Sequence, residues 1–140
     1  LLTKLKIKNK SNEFDSLALA PVSVLPEFQG KGIGGKLIVE AHKKAKELGH
    51  KSIILLGHEN YYPRFGYEQA DKYGIELPFE VPKENCMVIE LNEHGLKGVN
   101  GTVEYPKEFA ILQSNLATAF LSMPFTDQSG KIFSQKNCLL

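Results

Sequence analysis

The chain has 140 residues, with seventeen Lys and Arg against sixteen Asp and Glu and a formal net charge of +1. That length fits one domain, which buries about two thirds of the surface its unfolded chain would expose, enough for a core and a cofactor site. The near-neutral balance excludes a global field that would steer the chain to nucleic acid or anionic lipid, so any anion site must be local.

Cys86 and Cys138 make neither a multi-bridge framework nor a C-x-x-C pair, so reduced thiols are expected and no metal centre is. No run of eighteen apolar residues is present to span a bilayer, and the first residues lack the order of a signal peptide. These features imply a soluble, cytoplasmic protein with neither a membrane nor a nucleic-acid partner. Leu1 opens a stretch that already reads as mid-strand, so the chain is expected to begin inside a fold.

From Leu5 to Lys10 apolar residues alternate with Lys4, Lys6 and Lys8, the period-2 mark of a strand with one wet face. Without interleaved aromatics, this basic stripe reads as a protected edge and not as a nucleic-acid surface. Asn9 to Asn12 supplies turn chemistry. Leu17–Val24 and Ser52–Gly57 are apolar runs without alternation, which suits strands covered on both faces. Between them Ile33, Leu37, Ile38, Ala41, Ala45 and Leu48 form one helical stripe, and Gly49 stands where a left-handed cap is wanted. Strand, glycine loop, helix and strand predict a βαβ unit with parallel strands over about 17–24 and 52–57 and a helix over about 33–48.

A short helical piece is expected near Asn60–Arg64, a Pro-containing loop over Leu77–Lys83, and strands over Cys86–Leu91 and Thr102–Tyr105. Further on, Leu112, Leu116 and Phe120 share helical spacing, and Asp127–Asn137 reads as loop or tail.

The segment from Gln29 to Gly35 carries the functional signal. A strand that leads through a glycine loop into a helix presents unpaired peptide N–H groups at the positive end of a helix dipole, and phosphate is the natural guest. Gly30, Gly32 and Gly35 satisfy the dinucleotide pattern G-x-G-x-x-G, with Glu59 near the place of a ribose-binding acid. Against it, Leu25 to Gln29 separates strand from glycines where that fingerprint wants a tight turn. Gly30 to Lys36 also satisfies the start of a P-loop, but Leu37 stands where a Ser or Thr must hold magnesium. A loop that only packs helix on sheet does not need four glycines between Gly30 and Gly35.

The third pattern is [Gln/Arg]-x-x-Gly-x-[Gly/Ala], met by Gln29, Gly32 and Gly34. Together with its approach from Val22 to Phe28, it closely resembles the pyrophosphate loop of the GNAT N-acetyltransferases. Tyr62-Pro63-Arg64-Phe65-Gly66-Tyr67 resembles that family's Tyr-x-x-x-Gly-[Phe/Tyr] motif. Tyr61, Tyr62, Arg64-Phe65-Gly66 and Tyr105-Pro106-Lys107-Glu108-Phe109 resemble more specifically its YhbS-like branch, and the likeness covers about residues 2–110.

The resemblance implies a GNAT-like α/β mixed sheet around the βαβ unit. It also implies an acetyl-coenzyme A-binding domain over 1–110, with 111–140 as an extension or tail. Backbone groups of Val22 and Val24 would pair with the pantetheine arm, and Gln29, Gly30, Lys31, Gly32, Ile33, Gly34 and Gly35 would hold the diphosphate. Tyr62 would donate a proton to the departing thiolate. The implied activity is acetyl transfer from acetyl-coenzyme A to a primary amine of a small molecule or peptide. The rival reading is a non-catalytic acyl-coenzyme A-binding module completed by a partner chain. The family fold ordinarily opens with a strand, two helices and a further strand ahead of the equivalent of Leu2–Lys8. Their absence is expected to leave a sheet edge open and to favour a homodimer. No general base is assigned; His58 and Glu59 stand at a strand's C-terminal end, where ligands gather in open α/β sheets.

Overall fold

The computed structural model describes residues 1–19 and 25–107, and the backbone of two short strands beyond them. Strand β1 (Leu2–Lys8) and strand β2 (Glu13–Leu19) form an antiparallel hairpin. Asn9 builds its turn: the side-chain oxygen accepts from the amides of Ser11 at 2.9 Å and Asn12 at 2.8 Å. β2 begins before the apolar run because Glu13 and Asp15 point to one face and Phe14 and Ser16 to the other. Two of the three lysines of β1 are matched across the strands, Lys6 to Asp15 and Lys8 to Glu13 and Glu104, so most of the stripe is charge-paired.

Helix α1 (Ile33–Glu47) follows, and it closes as a Schellman motif: Gly49 at φ 85° donates to the Lys46 carbonyl and His50 to that of Ala45. Its buried stripe runs through Ile38 and Ala45, each 0% exposed, while Leu37 is 50% and Leu48 65% exposed. Leu37 lies about a quarter-turn off the line of Ile38, Ala41 and Ala45, so the expected stripe is narrower than drawn. Strand β3 (Ser52–Leu56) then lies parallel to β2, pairing Leu17 with Ile53 and Ala18 with Ile54. This is the expected βαβ unit; residues 20–24 fall outside the described residues. At its foot Ser16 and Ser52, both buried, join hydroxyl to hydroxyl at 2.7 Å.

The remaining strands are β4 (Glu68–Gln69), β5 (Ile75–Glu76), β6 (Cys86–Glu90) and β7 (Gly101–Glu104). The seven-stranded sheet has the order β4-β6-β3-β2-β1-β7-β5. β6 runs antiparallel to β3, and β7 antiparallel to β1. β7 pairs with β1 over Lys6–Lys8. Gly101 makes that approach feasible, since a Cβ there would lie 2.2 Å from the Lys8 carbonyl oxygen.

Alternation along the strands splits the core in two. Leu5, Ile7, Ile54, Cys86, Val88 and Val103 pack on one face; Leu17, Leu19, Ile53, Leu55 and Met87 pack on the other, under Ile38 and Ala45 of α1. Strands β8 (Pro124–Thr126) and β9 (Ile132–Ser134) form a separate antiparallel pair, so β9 lies in a stretch expected to be loop. The expected helical spacing of Leu112, Leu116 and Phe120 lies outside the described residues. Among the described residues, no helix is long and apolar enough to cross a membrane.

Candidate functional site

Two segments converge at the C-terminal ends of β2 and β3. The first runs from a 3-10 turn at Pro26–Phe28 through the glycines into α1. Gly30 and Gly32 have φ of 75° and 73°, the left-handed region, and a Cβ at either would meet nothing within 4 Å. Glycine is required at these two positions by backbone conformation, not by crowding. The first helical bond in this stretch runs from the Lys36 amide to the Gly32 carbonyl at 3.1 Å. Among the described residues, the peptide nitrogens of Gly30, Lys31, Gly32, Ile33, Gly34 and Gly35 donate to no protein acceptor. Among the described residues, six peptide N–H groups at a helix start are thus left without a protein acceptor, with open space beside Gly30 and Gly32, a geometry suited to an anion with several oxygens. The Lys31 ammonium rests 5.6 Å from the centre of the Phe28 ring. Val22 and Val24 lie outside the described residues.

The second segment is a 3-10 turn at Tyr62–Phe65, entered from β3 and closed by Gly66 at φ 96°. Phe65 reaches back to the helix start, its ring edge 3.4 Å from where a Cβ of Gly35 would be. The glycine loop and the tyrosine turn are therefore one packed unit. Arg64 holds the turn through Nε–H donating to the Tyr61 carbonyl at 3.0 Å, its guanidinium 4.5 Å from the centre of the Tyr61 ring.

Tyr62 lies between two aromatic neighbours, its ring centre 5.1 Å from that of Tyr61 and 5.7 Å from that of Tyr67. Burial pushes its hydroxyl up to about 12, so the phenol is protonated at neutral pH. Among the described residues that hydroxyl has no hydrogen-bond partner, which leaves it free to donate to a ligand. Tyr67 is occupied: its hydroxyl shares a 2.9 Å hydrogen bond with His42 Nε2, and burial holds the His42 imidazole below the ordinary histidine range.

Two residues without a sequence motif complete the arrangement. A Cβ at Gly57 would lie 2.2 Å from Cε2 of Tyr62, so the ring lies directly across the backbone where β3 ends. A lone glycine closing an apolar strand is a signal for such close approach. Asn85 clamps the same point: its carbonyl accepts from Gly57 N–H at 2.9 Å, and its side-chain amide donates to the Gly57 carbonyl at 3.1 Å and to Glu59 Oε2 at 3.0 Å. Nothing local in sequence announces a partner 28 residues away. His58 is mostly covered, its side chain 14% exposed, and its Nδ1 accepts from the Asn60 amide at 3.2 Å.

The model of the acetyltransferase (GNAT) domain matches residues 5–69, which hold both segments. The uncharacterized N-acetyltransferase YjhQ of Escherichia coli strain K12 is 36% identical over 86 residues, 61% of this chain and 48% of YjhQ. The uncharacterized N-acetyltransferase YhbS of the same strain is 29% identical over 93 residues, 66% of this chain and 56% of YhbS. The chain thus spans about half the length of the curated relatives it matches. Among solved structures, Escherichia coli YhbS in complex with CoA superposes with a TM-score of 0.69 at 25% identity, covering 77% of this chain and 60% of that one. A GNAT family acetyltransferase from Brucella melitensis in complex with acetyl-CoA gives 0.57 at 30% identity, covering 77% and 57%.

Proposed function

We propose that this chain, whose residues 5–69 match the acetyltransferase (GNAT) domain model and whose fold is that of GNAT acetyltransferases, binds acetyl-coenzyme A at Gln29–Gly35 and transfers the acetyl group to a primary amine. The observation that carries the proposal is the run of unbonded peptide nitrogens from Gly30 to Gly35, packed through Phe65 against the turn that holds Tyr62. The diphosphate takes those nitrogens, and the left-handed glycines keep side chains out of its way. Val22 and Val24, on the approach to the loop, pair with the pantetheine arm through their backbone. Relatives bound to CoA and to acetyl-CoA support the choice of ligand.

In the reaction, the free amine attacks the thioester carbonyl carbon, the C–N bond forms and the C–S bond breaks. The sulfur leaves as a thiolate and takes the Tyr62 proton, while the nitrogen loses its proton to solvent, from which the tyrosinate is recharged. Burial, which pushes the Tyr62 hydroxyl up to about 12, keeps it protonated at neutral pH and able to donate when the thiolate forms.

Calorimetry with acetyl-coenzyme A, paired with a thiol-release assay on a panel of amines, tests the proposal. Saturable binding with amine-dependent thiol release is expected. No binding removes the cradle, and binding without turnover on any amine favours the non-catalytic module.

A further inference from the structure

A cavity of about 580 Å³ opens on the opposite face of the sheet from Tyr62, at the same end of β3. Its floor includes Ile75 and Cys86, members of the core cluster on the Ile54 face, whereas Tyr62 packs with the cluster on the Leu55 face. The two meet over the strand end: Cys86 stands opposite Leu56, and the adjacent Asn85 clamps Gly57, on which the Tyr62 ring lies. The cavity and the Tyr62 ring thus lie on two sides of the strand end at Gly57 and Asn85.

The lining has two kinds of chemistry. Phe79, stacked on Tyr105 with ring centres 6.3 Å apart, and the buried Cys86 give an apolar body, and the Cys86 thiol makes no hydrogen bond among the described residues. Around them stand the carboxylates of Asp71, Glu76 and Glu80 against the single ammonium of Lys83. None of these four charges has an ion-pair or hydrogen-bond partner among the described residues. An apolar recess with uncompensated negative charge favours a cation that carries an apolar segment, and it repels a second carboxylate. Its volume is in the range of about 300–1,000 Å³ typical of small-molecule sites.

We propose that this cavity is the acceptor site and that the acceptor is a primary amine on an apolar body without a carboxylate, which binds as its ammonium ion and gives up one proton to solvent before the free amine attacks. Free amino acids are therefore poor acceptors. The proposal rests on the transferase reading for its direction but is read out by binding alone.

Calorimetry on the 140-residue chain with coenzyme A present uses three probes of one shape: phenethylamine, 2-phenylethanol and L-phenylalanine. Phenethylamine is expected to bind about tenfold more tightly than either of the others, a difference of about 1.4 kcal/mol. The double variant Glu76→Gln, Glu80→Gln, at exposed positions, is expected to bring amine and alcohol within about threefold while leaving acetyl-coenzyme A affinity unchanged. Equal affinity for the three probes, absence of phenethylamine binding, or an amine preference that survives the double variant overturns the proposal. Amine preference without thiol release from acetyl-coenzyme A keeps this site and removes the transferase, whereas turnover indifferent to the acceptor's charge does the reverse.

Discussion

Replacing Gly57 by Ala puts a methyl where the Tyr62 ring lies, 2.2 Å from Cε2, 2.5 Å from Cδ2 and 2.9 Å from Cδ1 of Leu55. Carbon atoms rest about 3.5–4.0 Å apart, so the ring must move by more than about 1 Å or the backbone must yield. The backbone is held on both sides by Asn85, so the ring is the part that gives. Overpacking of this kind costs about 1–3 kcal/mol, and at roughly 2–4 °C per kcal/mol Tm falls by about 2–12 °C. An acid displaced by about 1 Å loses on the order of 100-fold in kcat, similar to the ~10²–10⁴-fold expected of Tyr62→Phe, with acetyl-coenzyme A affinity retained in both. The decisive measurement is a double-mutant cycle by thermal and denaturant unfolding. In a Tyr62→Ala background only Cδ1 of Leu55 still opposes the methyl, so Gly57→Ala should cost less than half as much. Equal cost in both backgrounds would refute the steric argument.

Gly32→Val should destabilise the fold by about 1–2 kcal/mol from left-handed strain and weaken acetyl-coenzyme A binding. Gly32→Asn, which tolerates that conformation, should recover the stability but not the affinity, and recovery of both would show that the open amides are not the ligand site. Ser16→Ala leaves the buried Ser52 hydroxyl without its partner and should cost about 1–3 kcal/mol by denaturant titration; the double variant Ser16→Ala, Ser52→Ala should cost less than the sum of the singles. His42 is held below its ordinary value near 6.5, so the unfolded chain takes up a proton there before the folded one does. Its contribution to stability is complete above about pH 6.5 and is lost as pH falls below it toward the folded value. His42→Gln should flatten the slope of Tm against pH on that acid side, and an unchanged slope would mean that another group carries it.

Much of this was legible in the residues because it is local. The Asn9 turn, the Gly49 cap and the unalternating Ser52–Gly57 run each have a short-range physical cause, and the glycine loop between the two strands followed from them. The start of β2 escaped notice because Glu13 and Asp15 alternate with residues of which only Phe14 is apolar. β4 and β5, two residues each, are too short to carry any periodicity. In the site, Tyr62 could be named from its motif but not its seat on Gly57. The Asn85 clamp and the Phe65 contact with Gly35 depend on tertiary approach. Leu37 shows the converse error, an apolar residue assigned to the core that stays half exposed.

The pairing of β7 with β1 carries a consequence for how the molecule assembles. The hairpin and the βαβ unit are close in sequence and can organise while the ribosome is still translating, but β1 waits for Gly101–Glu104 before its far side is bonded. Asn9, which builds the first turn, also donates through its side chain to the Asn100 carbonyl and side-chain oxygen, just ahead of the late-arriving strand. Early nucleation and final closure therefore share one residue, and a lesion at Asn9 or Gly101 should slow maturation of the nascent chain more than it disturbs the finished glycine loop.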